Sequence, residues 1–68
     1  MMVKLRDHMS IEQQRSVQRQ INGLSGVFKT RMMSTSEEDL IQVSSSGSYK
    51  ETTQAIMQIR GVVAVRPD

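Results

Sequence analysis

Cysteine is absent from this 68-residue chain. That absence excludes disulfides, thiolate metal cages, cysteine nucleophiles and iron–sulfur clusters together. Aromatic side chains are scarce as well, Phe28 and Tyr49 making up 3% of the sequence. No stretch approaches the roughly 18 apolar residues that a membrane helix requires. The start, Met1-Met2-Val3-Lys4-Leu5-Arg6-Asp7, lacks the apolar run of a signal peptide, so the expectation is a cytoplasmic protein with no membrane partner. Neither sign of charge dominates: nine Lys and Arg against seven Asp and Glu leave +2, too little to imply nucleic acid from the sum alone. A chain this short buries only about 60% of its unfolded surface. One domain over residues 1–68 is expected, with a two-layer core and a homodimer as a natural supplement to it.

Against these absences stand two clear helix signals. Ser10-Ile11-Glu12-Gln13 has the form of a capping box, and Val17, Ile21 and Leu24 follow as one apolar stripe. Asn22-Gly23 offers a residue for a left-handed C-terminal turn, so the helix should end near Asn22. The second signal repeats the first: Ser48-Tyr49-Lys50-Glu51 is the box, Thr52, Ile56 and Ile59 are the stripe, and Gly61 is the stop. Each helix should run about three turns. Between and around them the chain alternates at period two, over Val3 to Arg6, Val27 to Met33, Leu40 to Ser44 and Val62 to Arg66. Ser34 to Asp39 is polar and turn-like, fit to join the second and third strands as an antiparallel hairpin.

The two halves superpose at an offset of 38 residues, with Ser10 on Ser48, Val17 on Ala55, Ile21 on Ile59, Gly23 on Gly61, Val27 on Val65, Val3 on Ile41 and Leu5 on Val43. Cap, stripe, stop and strands recurring together imply two βαβ units. The fold class expected is therefore α+β: a ferredoxin-like βαββαβ sandwich, a four-stranded antiparallel sheet with two helices on one face.

Asp7-His8-Met9-Ser10, Leu24-Ser25-Gly26-Val27 and Ile56 to Gly61 resemble the corresponding turns of heavy-metal-associated domains, the metal-carrying units of copper chaperones and metal-pumping ATPases. The resemblance implies the βαββαβ fold. It does not bring the activity, because that family holds Cu(I) with two thiolates three positions apart, and here those places fall on Ile11 and Gln14 or on Ser10 and Gln13. Two further ferredoxin-like groups are similar. Subtilisin propeptides end in a valine-rich strand and an acidic residue, as in Val62-Val63-Ala64-Val65-Arg66-Pro67-Asp68, which implies protease inhibition or intramolecular chaperoning through a mobile tail. Chaperones of periplasmic nitrate reductase share the Gly61-Val62 entry and bind a helical signal peptide on the sheet.

Candidate sites are few. His8 and Met9, with Met1 or Met2, make a weak case for Cu(I), since one imidazole and flexible thioethers are poor ligands without a thiolate. Met32, Met33 and Met57 read as core filler or adaptable surface. Glu37-Glu38-Asp39 reads as a solvated turn before it reads as a calcium site. No nucleophile–base spacing and no phosphate-cradling glycine loop is present, which points away from catalysis; no cofactor and no metal are expected.

Strand alternation supplies the sharpest hint. With Val3 and Leu5 facing the helices, Lys4 and Arg6 point to the open side; with Phe28, Thr30 and Met32 inward, Lys29 and Arg31 join them; with Val63 and Val65 inward, so does Arg66. Lys4, Arg6, Lys29, Arg31 and Arg66 are thus the expected partner-binding residues, with Gln42 and Ser44 between them. The function expected is a non-enzymatic interaction module that takes a protein partner on this basic face or on an edge strand. A protease inhibitor acting through Arg66-Pro67-Asp68 and an electrostatic nucleic-acid binder are the alternatives. The second suffers from having no ring to stack bases on once Phe28 is assigned to the core.

Overall fold

The computed structural model describes residues 1–67, which form β1 (Met2–Leu5), α1 (Ile11–Asn22), β2 (Val27–Met32), β3 (Leu40–Ser45), α2 (Tyr49–Met57) and β4 (Val62–Arg66). The strands make one sheet in the order β2-β3-β1-β4, with every neighbouring pair antiparallel. Val3, Leu5, Ile41 and Val43 alternate onto the face that Val17 and Ile21 of α1 and Ile56 of α2 cover, each of the seven 2% exposed or less. Burial of side chains of this size contributes about 1.5–3 kcal/mol apiece. This is a ferredoxin-like α+β fold with both helices on one face.

Local chemistry starts both helices. The Ser10 hydroxyl accepts from the Gln13 amide at 3.1 Å while the Gln13 side chain accepts from the Ser10 amide at 2.9 Å, a complete capping box. At Ser48 only the hydroxyl half forms, to the Glu51 amide at 3.4 Å. Further along α1, Gln18 donates to the Thr30 hydroxyl, which in turn donates to Asn22, both at 3.0 Å. This chain ties the last turns of α1 to the edge strand β2.

The repeat is real but its offset changes along the chain. Val3 is the direct ladder partner of Ile41, so equivalent residues of the two halves pair at the centre of the sheet. After the helix starts, α2 has nine residues against twelve in α1, and from there the halves correspond at 35 rather than 38. Gly23-Leu24-Ser25-Gly26 forms the same turn as Gln58-Ile59-Arg60-Gly61: the Leu24 and Ile59 amides donate to Ile21 and Ile56, and the Val27 and Val62 amides donate to Leu24 and Ile59. Gly26 and Gly61 carry the positive φ angles, +88° and +101°. Gly23 has an ordinary right-handed φ of −79°. The expected left-handed stop at Gly23, the pairing of Gly23 with Gly61, and the run of the second helix up to Gly61 are therefore corrected: Gly26 is the counterpart of Gly61, and α2 ends one turn earlier.

A second correction follows those glycines. In each half the strand after the turn carries a bulge, between Val27 and Lys29 in β2 and between Val62 and Ala64 in β4. Two residues then face one across the ladder, and the alternation slips by one. Phe28 and Val63, both expected inward, are 70% and 51% exposed, while Val27, Val62 and Val65 pack against the core.

Candidate functional site

The face of the sheet turned away from the helices is read directly from the ladder. Arg31, Gln42, Met2 and Arg66 stand side by side across all four strands; Lys29 and Ser44 form the next rung on one side, and Leu40, Lys4 and Ala64 the next on the other. Four of the five expected cations, Lys4, Lys29, Arg31 and Arg66, thus share this face. Arg6 does not join them. It follows the last residue of β1, its amide donates to Gly61, and its side chain borders a hollow beside α1 together with Met9, Gln13, Gln20 and Arg60.

The β2–β3 hairpin reorganises one half of this face. Thr35 pins the loop: its hydroxyl accepts from the Glu37 and Glu38 amides at 3.2 and 3.0 Å, and its amide donates to the Glu38 carbonyl at 2.8 Å. A hydroxyl that satisfies two loop amides holds such a turn in one conformation. Glu38 is thereby carried over the open face, with one carboxylate oxygen 3.7 Å from Lys4 Nζ and the other 3.4 Å from Arg66 Nη2. All three side chains keep contact with water, so the pair energies are small. The consequence is electrostatic. One carboxylate stands between two of the cations, and beneath the hairpin Leu40 is 6% exposed although it lies outside the helix-side core.

The other half of the face has no such counter-charge. Lys29, Arg31, Gln42 and Ser44 line a hollow of about 230 Å³. Lys29 pairs with Ser44 and Arg31 with Gln42, so the four side chains rise from the corners of a patch roughly 5 Å by 7 Å. Among the described residues none of the four has a side-chain hydrogen bond or ion pair. Phe28 stands next to Lys29 in the chain, pushed outward by the bulge.

The remaining candidates fall elsewhere. His8 adopts a φ of +64° in the β1–α1 turn and lines a hollow with Asp7, Thr35, Ser36 and Glu37. Among the described residues no three His, Cys, Asp or Glu side chains are grouped to hold a metal ion. Met9 and Met32 pack against the core, whereas Met57 is 45% exposed on α2. Of the two residue pairs at the metal positions of heavy-metal-associated domains, Ser10 and Gln13 are engaged in the capping box. In the other pair Ile11 is exposed and Gln14 is buried, donating to the Met9 carbonyl. In the tail segment Arg66-Pro67-Asp68, Arg66 is the last residue of β4 and is tied to Glu38, and Asp68 lies outside the described residues. No helix among the described residues is long and apolar enough to cross a membrane.

Sequence reasoning missed where two residues stand. Glu38 looked like one member of a solvated acidic turn, and nothing in the sequence says which way a hairpin leans. Phe28 did leave a trace, because Gly26-Val27-Phe28 and Gly61-Val62-Val63 share a pattern at the shorter offset. No protein-family model matches the chain, and no curated protein or solved structure is significantly similar to it.

Proposed function

We propose that this chain is a non-enzymatic interaction module that docks an anionic protein partner on the open face of its sheet. The observation that carries the reading is the uncompensated basic patch of Lys29 and Arg31, with Gln42 and Ser44 as unused neutral donors beside it. Met2, the ladder neighbour of Gln42, supplies apolar contact beside it. Lys4 and Arg66 are the outer contacts, available to a partner that displaces Glu38. In this reading the chain resembles a heavy-metal-associated domain in architecture, with Ser10 and Gln13 given to helix capping and Gln14 to a buried hydrogen bond, while Ile11 is exposed.

Titration of the labelled protein with a glutamate-rich peptide should shift the amide signals of Lys29, Arg31, Gln42 and Ser44 first, then those of Lys4 and Arg66. Shifts confined to α1 and α2 would reject the face. A nucleic-acid reading is favoured by one feature, the exposed ring of Phe28 beside Lys29; it requires oligonucleotide affinity that falls steeply with salt.

A further inference from the structure

We infer that the hollow between β2 and β3 is a site for one phosphate monoester, carried on a phosphorylated side chain of the docked partner; this rests on the open-face reading and narrows it. Two cations and two neutral donors converge there, and a site for a single carboxylate would need fewer of them. A phosphate monoester carries about −1.5 to −2 charge at pH 7 and three strong acceptor oxygens. Lys29 and Arg31 match that charge, and Arg31 can present two parallel N–H donors. Ser44 and Gln42, directly opposite them in the ladder, supply the further donors a tetrahedral group can accept from. All four side chains are without partners among the described residues, so the group would displace water and no internal bond.

Two observations favour a phosphorylated polypeptide over the other bearers of phosphate. A nucleic-acid strand needs cations continuing across the sheet to meet its successive phosphates, and Glu38 interrupts that track, its carboxylate lying between Lys4 and Arg66. A free phosphate metabolite needs enclosure on most sides, whereas this hollow of about 230 Å³ is lined from two strands only, and its two cations, Lys29 and Arg31, are exposed. A peptide brings its own contact area to the flat surroundings, where Met2 lies beside Gln42.

The test compares one glutamate-containing peptide bearing a single serine with its phosphoserine form, inorganic phosphate and a thymidine oligonucleotide, each titrated into the labelled protein. The phosphopeptide should bind about tenfold or more tightly than its serine form, with the largest shifts at Lys29, Arg31, Gln42 and Ser44. Lys29→Gln and Arg31→Gln should each remove most of that preference while keeping a dispersed spectrum, and Lys50→Gln, on α2, should leave it intact. Equal affinity for the two peptides, with the face still shifting, overturns the phosphate site and leaves the docking face standing. Silence of the face toward both peptides overturns both. Inorganic phosphate binding as tightly as the phosphopeptide, or tighter binding of the oligonucleotide, overturns the phosphopeptide assignment in favour of that ligand.

Discussion

Replacing the glycines of the two equivalent turns by alanine, one at a time, tests the architecture at the point where the halves change offset. At Gly61 the backbone sits at φ +101°, and an added Cβ would stand 3.1 Å from Met9 Cε and 3.4 Å from Val17 Cγ2. The Met9 methyl ends a flexible chain and can withdraw, so the backbone conformation sets the cost, about 1–3 kcal/mol. At Gly26 the φ is +88° and the near atom is the Gly47 backbone nitrogen at 3.3 Å, which cannot swing aside. Gly26→Ala should therefore cost at least as much as Gly61→Ala. Gly23 differs in kind: its φ is −79°, its nearest neighbours are carbonyl oxygens at 3.6 Å, and Gly23→Ala should stabilise by about 0.4–1 kcal/mol through the unfolded chain. For a domain of this size about 1 kcal/mol moves Tm by roughly 4–8 °C. Thermal unfolding followed by circular dichroism should thus show Gly23→Ala a few degrees above the parent and the other two variants about 5–20 °C below it. If Gly23→Ala falls together with Gly61→Ala, the assignment of Gly26 as the counterpart of Gly61 is refuted.

Ser10→Ala removes the hydroxyl that accepts from the Gln13 amide at 3.1 Å, leaving the residue-10 amide to donate to the Gln13 side chain, and should destabilise by about 1 kcal/mol; Ser48→Ala, which loses one longer bond of 3.4 Å, should cost less, and reversal of that order in urea unfolding would contradict the cap geometry. Phe28→Ser should change stability by no more than about 0.5 kcal/mol because the ring is mostly in water. A loss above about 2 kcal/mol would mean that the ring is buried after all. Glu38→Gln should alter stability by less than about 1 kcal/mol yet strengthen binding of a glutamate-rich peptide, most visibly at low salt. An unchanged affinity would show that the carboxylate does not compete with the partner.

What the sequence discloses here is what neighbours in the chain decide. The serine caps, the apolar stripes and the strand alternation around Val3, Leu5, Ile41 and Val43 are local patterns, and the element order built from them matches the structure. Turn chemistry was legible only in part. Gly23 and Gly61 looked equivalent because each follows a helix signal, yet the left-handed conformation belongs to the glycine that precedes a valine strand, Gly26 or Gly61. The bulges were not legible, since they are a property of two strands aligned together. A single extra residue in the ladder removes Phe28 and Val63 from the core and brings Val62 into it. Of the basic face, Lys4, Lys29, Arg31 and Arg66 follow from period two, and Arg6 departs because pairing within β1 ends at Leu5.

The two bulges also bear on what the borders of the sheet offer to a second strand. Both outer strands of the sheet, β2 and β4, begin with one, so neither flank offers a long straight run of free backbone groups for another strand to extend. What remains regular is short: Lys29 to Met32, carrying two positive charges, on one flank, and Ala64 to Arg66 on the other. Irregular, charged borders of this kind discourage sheet-to-sheet polymerisation. Were a partner to dock as proposed, these borders would leave it the flat surface of the sheet and not its rim.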